Sequence, residues 1–421
     1  MRTRLLILAA PLIAGFIVAT TLLMGRDRFA RPLFRQDADD RRPKTPELKP
    51  PLDGSILPAT NITQYLEAIL TPQLSTLPNL ECPAINDTRY GALKSKLPSD
   101  PAIRYFFALN LRQNLPLLPR LIGSIVEAIR LLGPSQCALS IVEGNSPDGT
   151  ADVLAALRPA LESLGATYYF ESSAIDPSKD NRVARLAQLR NKALAPLLDL
   201  QGKVTGDTTI IFLNDVSACS EDILELVYQK MSLGADMTCA MDWTYVGEHP
   251  TFYDVWIART IHGDSFFEIP PDGNWNSAWN LFWNADETQV RFYSQRPFQV
   301  FSCWNGATAF TAQPILEKSV EFRAANETAG ECRQGEPQLF CKDLWFKGYR
   351  KIAVIPSVNL EYSVEKAKKI KEAKGFTSDI VSKQQPGGDK IEWRLEPPSM
   401  VKCMPTWENQ YWQSWNETLK P

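Results

Sequence analysis

Residues 138–154 read ALSIVEGNSPDGTADVL, an apolar β-prone run, a stretch of turn formers and the first turns of a helix. The central loop, Glu143-Gly144-Asn145-Ser146-Pro147-Asp148-Gly149-Thr150, hands over to a helix that Thr150 is expected to cap. Working outward, further apolar runs at 103–109, 166–170, 209–213, 235–241 and 352–358 alternate with amphipathic stretches. Val153, Leu157, Leu161 and Leu164 form one helical stripe, and Val183, Leu186, Ala193, Leu194 and Leu197 form another. Strands alternating with helices predict an α/β fold with a parallel sheet flanked by helices. In such sheets ligands bind beyond the carboxyl ends of the strands, so the polar residues at those ends are the first candidates for a site.

Three segments qualify. Glu143 ends its strand, where its carboxylate is placed to accept hydrogen bonds from a nucleotide base or ribose; a plain connector is the other reading of that loop. The run TTIIFLNDVSACSEDIL (208–224) ends a strand at Asn214-Asp215. Carboxylate oxygen there suits the hard cation, Mn²⁺ or Mg²⁺, that bridges a diphosphate, the alternative being a turn before a helix capped by Ser220. The helix RVARLAQLRNKALAPLL (182–198) carries Arg182, Arg185, Arg190 and Lys192, which read as a solvated basic face; it is also similar to the R-N-x-A-L helices that precede the metal strand in GT-A glycosyltransferases, and that resemblance implies a donor-phosphate contact at Arg190.

The ends of the chain bound its setting. Residues 5–24, LLILAAPLIAGFIVATTLLM, hold no charge and suffice to span a bilayer; they are longer than the apolar core of a secretory signal, the competing reading. Four N-x-[ST] sequons, at Asn61, Asn86, Asn326 and Asn416, and eight cysteines without a C-x-x-C pair fit a lumenal, oxidising location. Cys332 and Cys341 are the expected neighbours. Residues 26–100 are rich in proline and mixed charge, as in a stem, with one helical patch near 62–70. The expected organisation is therefore a cytoplasmic N-terminus with its anchor (1–25), a stem (26–100), a catalytic domain (101–362) and a packed helix and aromatic tail (363–421).

Of 42 aromatic residues, 17 lie between Trp243 and Phe310. Most must pack; a few at a rim offer flat apolar faces for pyranose rings. Several segments here are distinctive: CAMDW (239–243), YDVWIARTIHGDSF (253–266), FSCWNGATAF (301–310), GECRQGEPQLFCKDLW (330–345) and VIPSV (354–358). Together with Asn214-Asp215-Val216 they resemble the fungal family of cryptococcal α-1,3-mannosyltransferase and capsule-associated proteins. The 138–154 segment is similar to the V-D-D-G-S-x-D-G-T strand and loop of GT-A glycosyltransferases: Ser146, Asp148, Gly149 and Thr150 match, Glu143 stands for the first acid and Gly144 replaces the second.

The resemblance implies a GT-A, Rossmann-like mixed sheet and retaining α-1,3-mannosyl transfer from GDP-mannose to a mannose-containing glycan. It implies Mn²⁺ dependence with Asp215 as ligand, and a type II Golgi membrane protein working beside other Golgi transferases. It further places Trp304, Asn305 and Gly306 along the donor sugar, Ser146 and Asn214 near the nucleotide, and Glu336 under the acceptor as a candidate catalytic acid; a first-turn acid favouring the helix dipole is the other reading of Glu336. The family's D-x-D is reduced here to Asn214-Asp215-Val216, and no histidine follows VIPSV to complete a metal site. Two alternatives follow: the reduced D-x-D leaves open a non-catalytic scaffold in glycan synthesis, and Gly144 in place of the second acid leaves open a transferase with another nucleotide sugar. The formal net charge of −3, with scattered Lys and Arg, shows no nucleic-acid footprint. P-loop, G-x-S-x-G and H-E-x-x-H motifs are missing, and two histidines leave little room for histidine-based metal chemistry.

Overall fold

The computed structural model describes residues 51–95, 101–179, 181–384 and 387–419. The apolar 5–24 segment lies outside them, and among the described residues no helix is long and apolar enough to cross a membrane. The described residues form one compact unit.

The first half builds a parallel sheet from β1 (Tyr105–Leu111), β2 (Cys137–Gly144), β3 (Thr167–Ser173) and β4 (Thr209–Leu213), with β1 between β2 and β4. Their side chains alternate between two cores: Phe106, Ala108, Ile210 and Phe212 face one, Phe107, Leu109, Ile211 and Leu213 the other. Covered on both faces, such strands read as unbroken apolar runs. In the second half β5 (Met237–Val246), β6 (His249–Phe252), β7 (Arg259–Thr260), β8 (Phe298–Ser302), β9 (Ala307–Thr311) and β10 (Ile352–Leu360) complete a ten-stranded sheet of order β3-β2-β1-β4-β9-β5-β10-β8-β7, with β6 beside β5. Strand β9 runs antiparallel to both β4 and β5, whereas β5 and β10 are parallel. The sheet is mixed, as the resemblance implies; the wholly parallel sheet that the alternation alone predicts holds only for the first half.

One core face is covered by α1 (Ala59–Leu70), α2 (Asp87–Lys94), α3 (Leu118–Leu132), α4 (Thr150–Ala156), α5 (Arg158–Leu164) and α7 (Ser220–Leu233), the other by α6 (Arg182–Asp199). The single stripe expected over 153–164 is two helices, broken at Leu157 because Pro159 has no N–H for the continuing ladder. Thr150 and Ser220 are first helical residues, and Gly149 and Cys219 hold the cap positions. In α6 the core stripe is carried by Ala187, Leu189, Ala193, Leu194 and Leu197, while Val183 and Leu186 overhang a cavity.

The described part of the expected stem belongs to the packed body. Helix α1 buries Ile62, Leu66 and Ile69, Cys82 is disulfide-bonded to Cys219, and Arg89 pairs with the buried Glu225 at 2.7 Å. The remaining elements are α8 (Asp286–Tyr293), α9 (Gln313–Leu316), α10 (Glu336–Phe346), α11 (Val364–Lys374), α12 (Thr377–Val381) and the hairpin of β11 (Met400–Cys403) with β12 (Tyr411–Ser414). The tail is docked by the buried Lys371–Asp222 pair and by a Cys332–Cys403 disulfide. Cys332 thus bonds the tail, not Cys341, which points into the core from α10 and donates its thiol to the Cys303 carbonyl; Cys303 bonds Cys239. All four sequon asparagines reach the surface, Asn416 partly.

Asp152, in the first turn of α4, fastens the 55–57 segment to this layer. Its carboxylate accepts from the backbone N–H groups of Ser55, Ile56 and Leu57 and from the Ser55 hydroxyl, at 2.8 to 2.9 Å. Burial works against its ionisation, but the Leu57, Ile56 and Ser55 N–H groups outweigh it and hold the carboxyl below its ordinary value. A depressed pKa stabilises the fold above the ordinary carboxylate range, and the gain is lost as pH falls through the folded value. Asp152→Ala is expected to lower stability at pH 7 by about 1 kcal/mol and to expose the 51–57 segment to limited proteolysis. The difference from wild type should shrink in acid, as followed by thermal melts across pH.

Candidate active site

A cavity of ≈ 570 Å³ opens beyond the carboxyl ends of β1 and β4. Asn110, Leu111 and Arg112 from β1 and its loop, Arg182, Val183, Leu186 and Arg190 from α6, and Asn214 and Asp215 after β4 form one wall. Tyr253, Asp254, Trp256, Trp275, Trp304, Glu336 and Tyr362, from the second half, form the other.

Asn214 and Asp215 divide the work at the end of β4. The Asn214 N–H donates to the Gly306 carbonyl at 2.8 Å. Its side-chain oxygen accepts from the Trp304 indole at 2.9 Å and from Arg190 at 3.3 Å. An amide serves that purpose better than an acid, because it fixes an indole without adding charge. Asp215 faces the cavity, with Oδ2 accepting from the Asn114 amide at 3.3 Å.

Arg190 is buried, and its Nε donates to Glu336 at 2.8 Å. Its guanidinium lies 4.6 Å from the Trp304 ring centroid and 5.2 Å from that of Phe212. Glu336 is the first residue of α10, the first-turn acid of one of its two expected readings, and it also lines the cavity. Arg190 is committed to holding Glu336, Asn214 and Trp304 in place, which makes it the brace of the wall as well as its cation.

Other expected contacts lie one layer back. Glu143 is buried, with Oε1 accepting from the Ser146 N–H at 2.6 Å and Oε2 from the Ser172 hydroxyl at 2.9 Å. The Ser146 hydroxyl in turn accepts from the Gln113 N–H at 2.8 Å. Neither Glu143 nor Ser146 lines the cavity; together they tie the loop after β2 to the loop after β1 and to the end of β3. Asn305 and Gly306 also sit behind the wall. Both have left-handed φ, 50° and 83°, the Asn-Gly preference of tight reversals. At Gly306 a β-carbon would stand 3.0 Å from Val216. Only Trp304 of that triplet reaches the cavity.

The left-handed Asn305 directs its N–H to Asp254 Oδ2 at 2.9 Å, while its side-chain amide donates to the Ala240 carbonyl. Asp254 was not singled out from the sequence, nor was its partner Asp242. Asp242 is fully buried in β5 and accepts from the Tyr362 hydroxyl at 2.5 Å on Oδ2. Its Oδ1 has no hydrogen-bond partner among the described residues. Burial, then the Asp254 charge, pushes the Asp242 carboxyl well up. Burial likewise lifts Asp254 to about 6, against the Asn305 N–H and Arg190. The available signal was that two of the distinctive segments, CAMDW and YDVW, each set an aspartate close to a tryptophan.

The donor set fits a divalent cation held with a diphosphate. Among the described residues no three His, Cys, Asp or Glu side chains group as a complete cage. Mg²⁺ or Mn²⁺ beside a nucleotide takes one or two carboxylates and fills its shell with phosphate oxygens and water. Asp215 offers such a carboxylate to a cavity whose opposite wall carries Asp254 and Glu336.

A carboxyl whose pKa is raised on folding favours the fold while protonated, and the advantage goes as pH climbs through about 6. Asp242→Asn removes the repulsion and keeps an acceptor for Tyr362. The variant is expected to melt above wild type at pH 7.5 and to converge with it only below about pH 4, the ordinary carboxylate value; a constant difference across that range would remove the acid pair from the account.

Residues 104–343 match the family described as Cryptococcal mannosyltransferase 1. The alpha-1,3-mannosyltransferase CMT1 of Cryptococcus neoformans var. neoformans serotype D is 36% identical over 343 residues, which cover 75% of this chain and 73% of that protein. Solved structures align more distantly. The mannosyltransferase PcManGT from Pyrobaculum calidifontis, in complex with GDP-Man and Mn²⁺, is 11% identical with a TM-score of 0.35 over 78% of this chain and 76% of that one. TarS 1–349 of S. aureus in complex with UDP is 12% identical with a TM-score of 0.35 over 62% of this chain and 60% of that one. A family match over more than half of the chain and a full-domain relative agree with the expectation drawn from its distinctive segments: the protein is a glycosyltransferase and belongs to the cryptococcal mannosyltransferase 1 family.

Proposed function

We propose that the protein transfers mannose from GDP-mannose to a mannose-containing glycan, forming an α-1,3 bond with retention, and that it does so with Mn²⁺ or Mg²⁺ in the Golgi lumen as a type II membrane protein. The observation that carries the chemistry is Asp215, a carboxylate delivered by a buried strand to a cavity that also holds Arg112, Arg182 and Arg190. Family membership supports the sugar and the linkage. The surface sequons and three disulfides support the lumen.

Asp215 would hold the cation, which when bound neutralises charge building on the departing diphosphate. The protein's own groups do the rest. Arg182 adds positive charge on the same side of the cavity, while Arg190 keeps Trp304 and Glu336 fixed so that donor and acceptor meet in one orientation. Asp254, with a pKa near 6, is able to accept a hydrogen bond from an acceptor hydroxyl and carry its proton as the bond to the sugar forms. Retention removes the need for a separate base on the opposite face of the sugar. Glu143 acts through the loop, by fixing the turn that borders the nucleotide.

The test is a transfer assay with a panel of nucleotide sugars and Mn²⁺, run on wild type and Asp215→Asn. Turnover is expected with GDP-mannose. Turnover only with another donor would replace that part of the proposal, and none with any donor would leave a scaffold. Asp215→Asn keeps size and hydrogen bonding and removes the charge, so it should melt like wild type without ligand and lose the stabilisation that Mn²⁺ with GDP gives. Its transfer rate should fall on the order of a hundredfold, ~3 kcal/mol of transition-state stabilisation.

A further inference from the structure

The lining of the cavity falls into two chemical sets. Arg112, Arg182, Arg190 and Asp215 suit a charged diphosphate; Tyr253, Trp256 and Trp275 carry no charge and present aromatic faces. The second set continues past the cavity. The Trp256 ring lies 3.9 Å from that of Trp407, with an angle of 31° between planes, and Trp275 meets Trp407 edge-on at 6.3 Å. Three indoles from three separate segments thus form one cluster at the mouth, with Trp256 37% and the neighbouring Tyr253 47% exposed.

The third indole comes from the C-terminal tail, outside the expected catalytic domain, and several contacts hold it in place. Cys332–Cys403 fastens the strand before it, the Lys402 N–H donates to the Gly263 carbonyl at 2.8 Å, and the buried Arg259 donates to the Lys402 carbonyl at 2.9 Å. On the far side the 270–273 turn closes against Trp407. A β-carbon at Gly273, whose φ is 72°, would stand 2.7 Å from the indole. Packing of this kind fixes the orientation of the Trp407 ring beside Trp256 and Trp275.

We infer that the Trp256–Trp275–Trp407 cluster is a subsite for a second pyranose of the acceptor, one residue or more away from the sugar that receives mannose. A pyranose has an apolar face of axial C–H groups that an indole covers, and polar hydroxyls at its edge that remain in water. A neutral oligosaccharide is the occupant because the cluster carries no charge and joins without a break the cavity where transfer takes place. This inference rests on the transferase reading, and it makes the tail part of acceptor selection: the enzyme should prefer an oligosaccharide to a single sugar.

The experiment compares KM for methyl α-mannoside and for a linear mannotriose, with GDP-mannose and Mn²⁺, in the full-chain wild type, Trp407→Ala, Trp407→Phe and Trp256→Ala. Wild type should favour the mannotriose, and both alanine variants should reduce that preference by roughly tenfold, with the loss falling on the mannotriose KM and not on the donor's. Trp407→Phe should recover most of it. An unchanged preference in folded Trp407→Ala and Trp256→Ala overturns the subsite, as does an equal rise in donor KM. Calorimetric binding of mannotriose without donor separates the two levels: binding to wild type that Trp407→Ala weakens supports the cluster even if no transfer is seen, and equal binding by both refutes it.

Discussion

A buried guanidinium must be paired, and around Arg190 that requirement organises the site. Leaving the charge alone in the interior would cost several kcal/mol, so Glu336 is brought to it from the far half of the chain and Asn214 from the end of β4. Trp304 and Phe212 cover the flat faces of the group, where a cation is favoured. One side chain therefore joins α6, β4, α10 and the Trp304 turn. It also accounts for the amide at position 214: a carboxylate there would compete with Glu336 for the same cation and leave the Trp304 N–H bonded to a second buried charge.

The second constraint is the left-handed pair Asn305-Gly306. It returns the Gly306 carbonyl to Asn214 and aims the Asn305 N–H at Asp254. With Asp242 and Tyr362 nearby, Asp254 is kept in an environment that lifts its pKa to about 6. The end of β4 that carries Asp215, the brace and the acid pair thus meet at one turn, so small changes there should be felt across the cavity.

The parallel half of the fold was legible because its strands are buried on both faces and bounded by turn formers; β4 and Asp215 fall where the apolar run ends. Position after a strand does not reveal which polar group turns inward. Glu143 sits at a strand end as read, yet the serines at 146 and 172 satisfy it, and no local pattern announces Ser172 as its partner. Arg190 was visible as a basic residue, whereas its partner lies 146 residues away. Strands β7, β8 and β9 are short, lie among aromatics without clean alternation and gave no period to read. The helix at 59–70 was seen, but its packing on the body depends on α3, a contact that proline-rich composition around it obscures. Asp242 and Asp254 were missed because their significance arises from mutual proximity and burial.

The central claim is that the cavity braced by Arg190 binds the donor. Calorimetric titration of GDP-mannose with Mn²⁺ into wild type and Arg190→Lys tests it most directly, since lysine keeps the charge and loses the planar fork that holds Glu336 and Asn214 together. The account predicts a folded variant whose donor affinity is weaker by about tenfold or more, the equivalent of one lost charge-assisted hydrogen bond. A folded Arg190→Lys protein that binds GDP-mannose as tightly as wild type would contradict it.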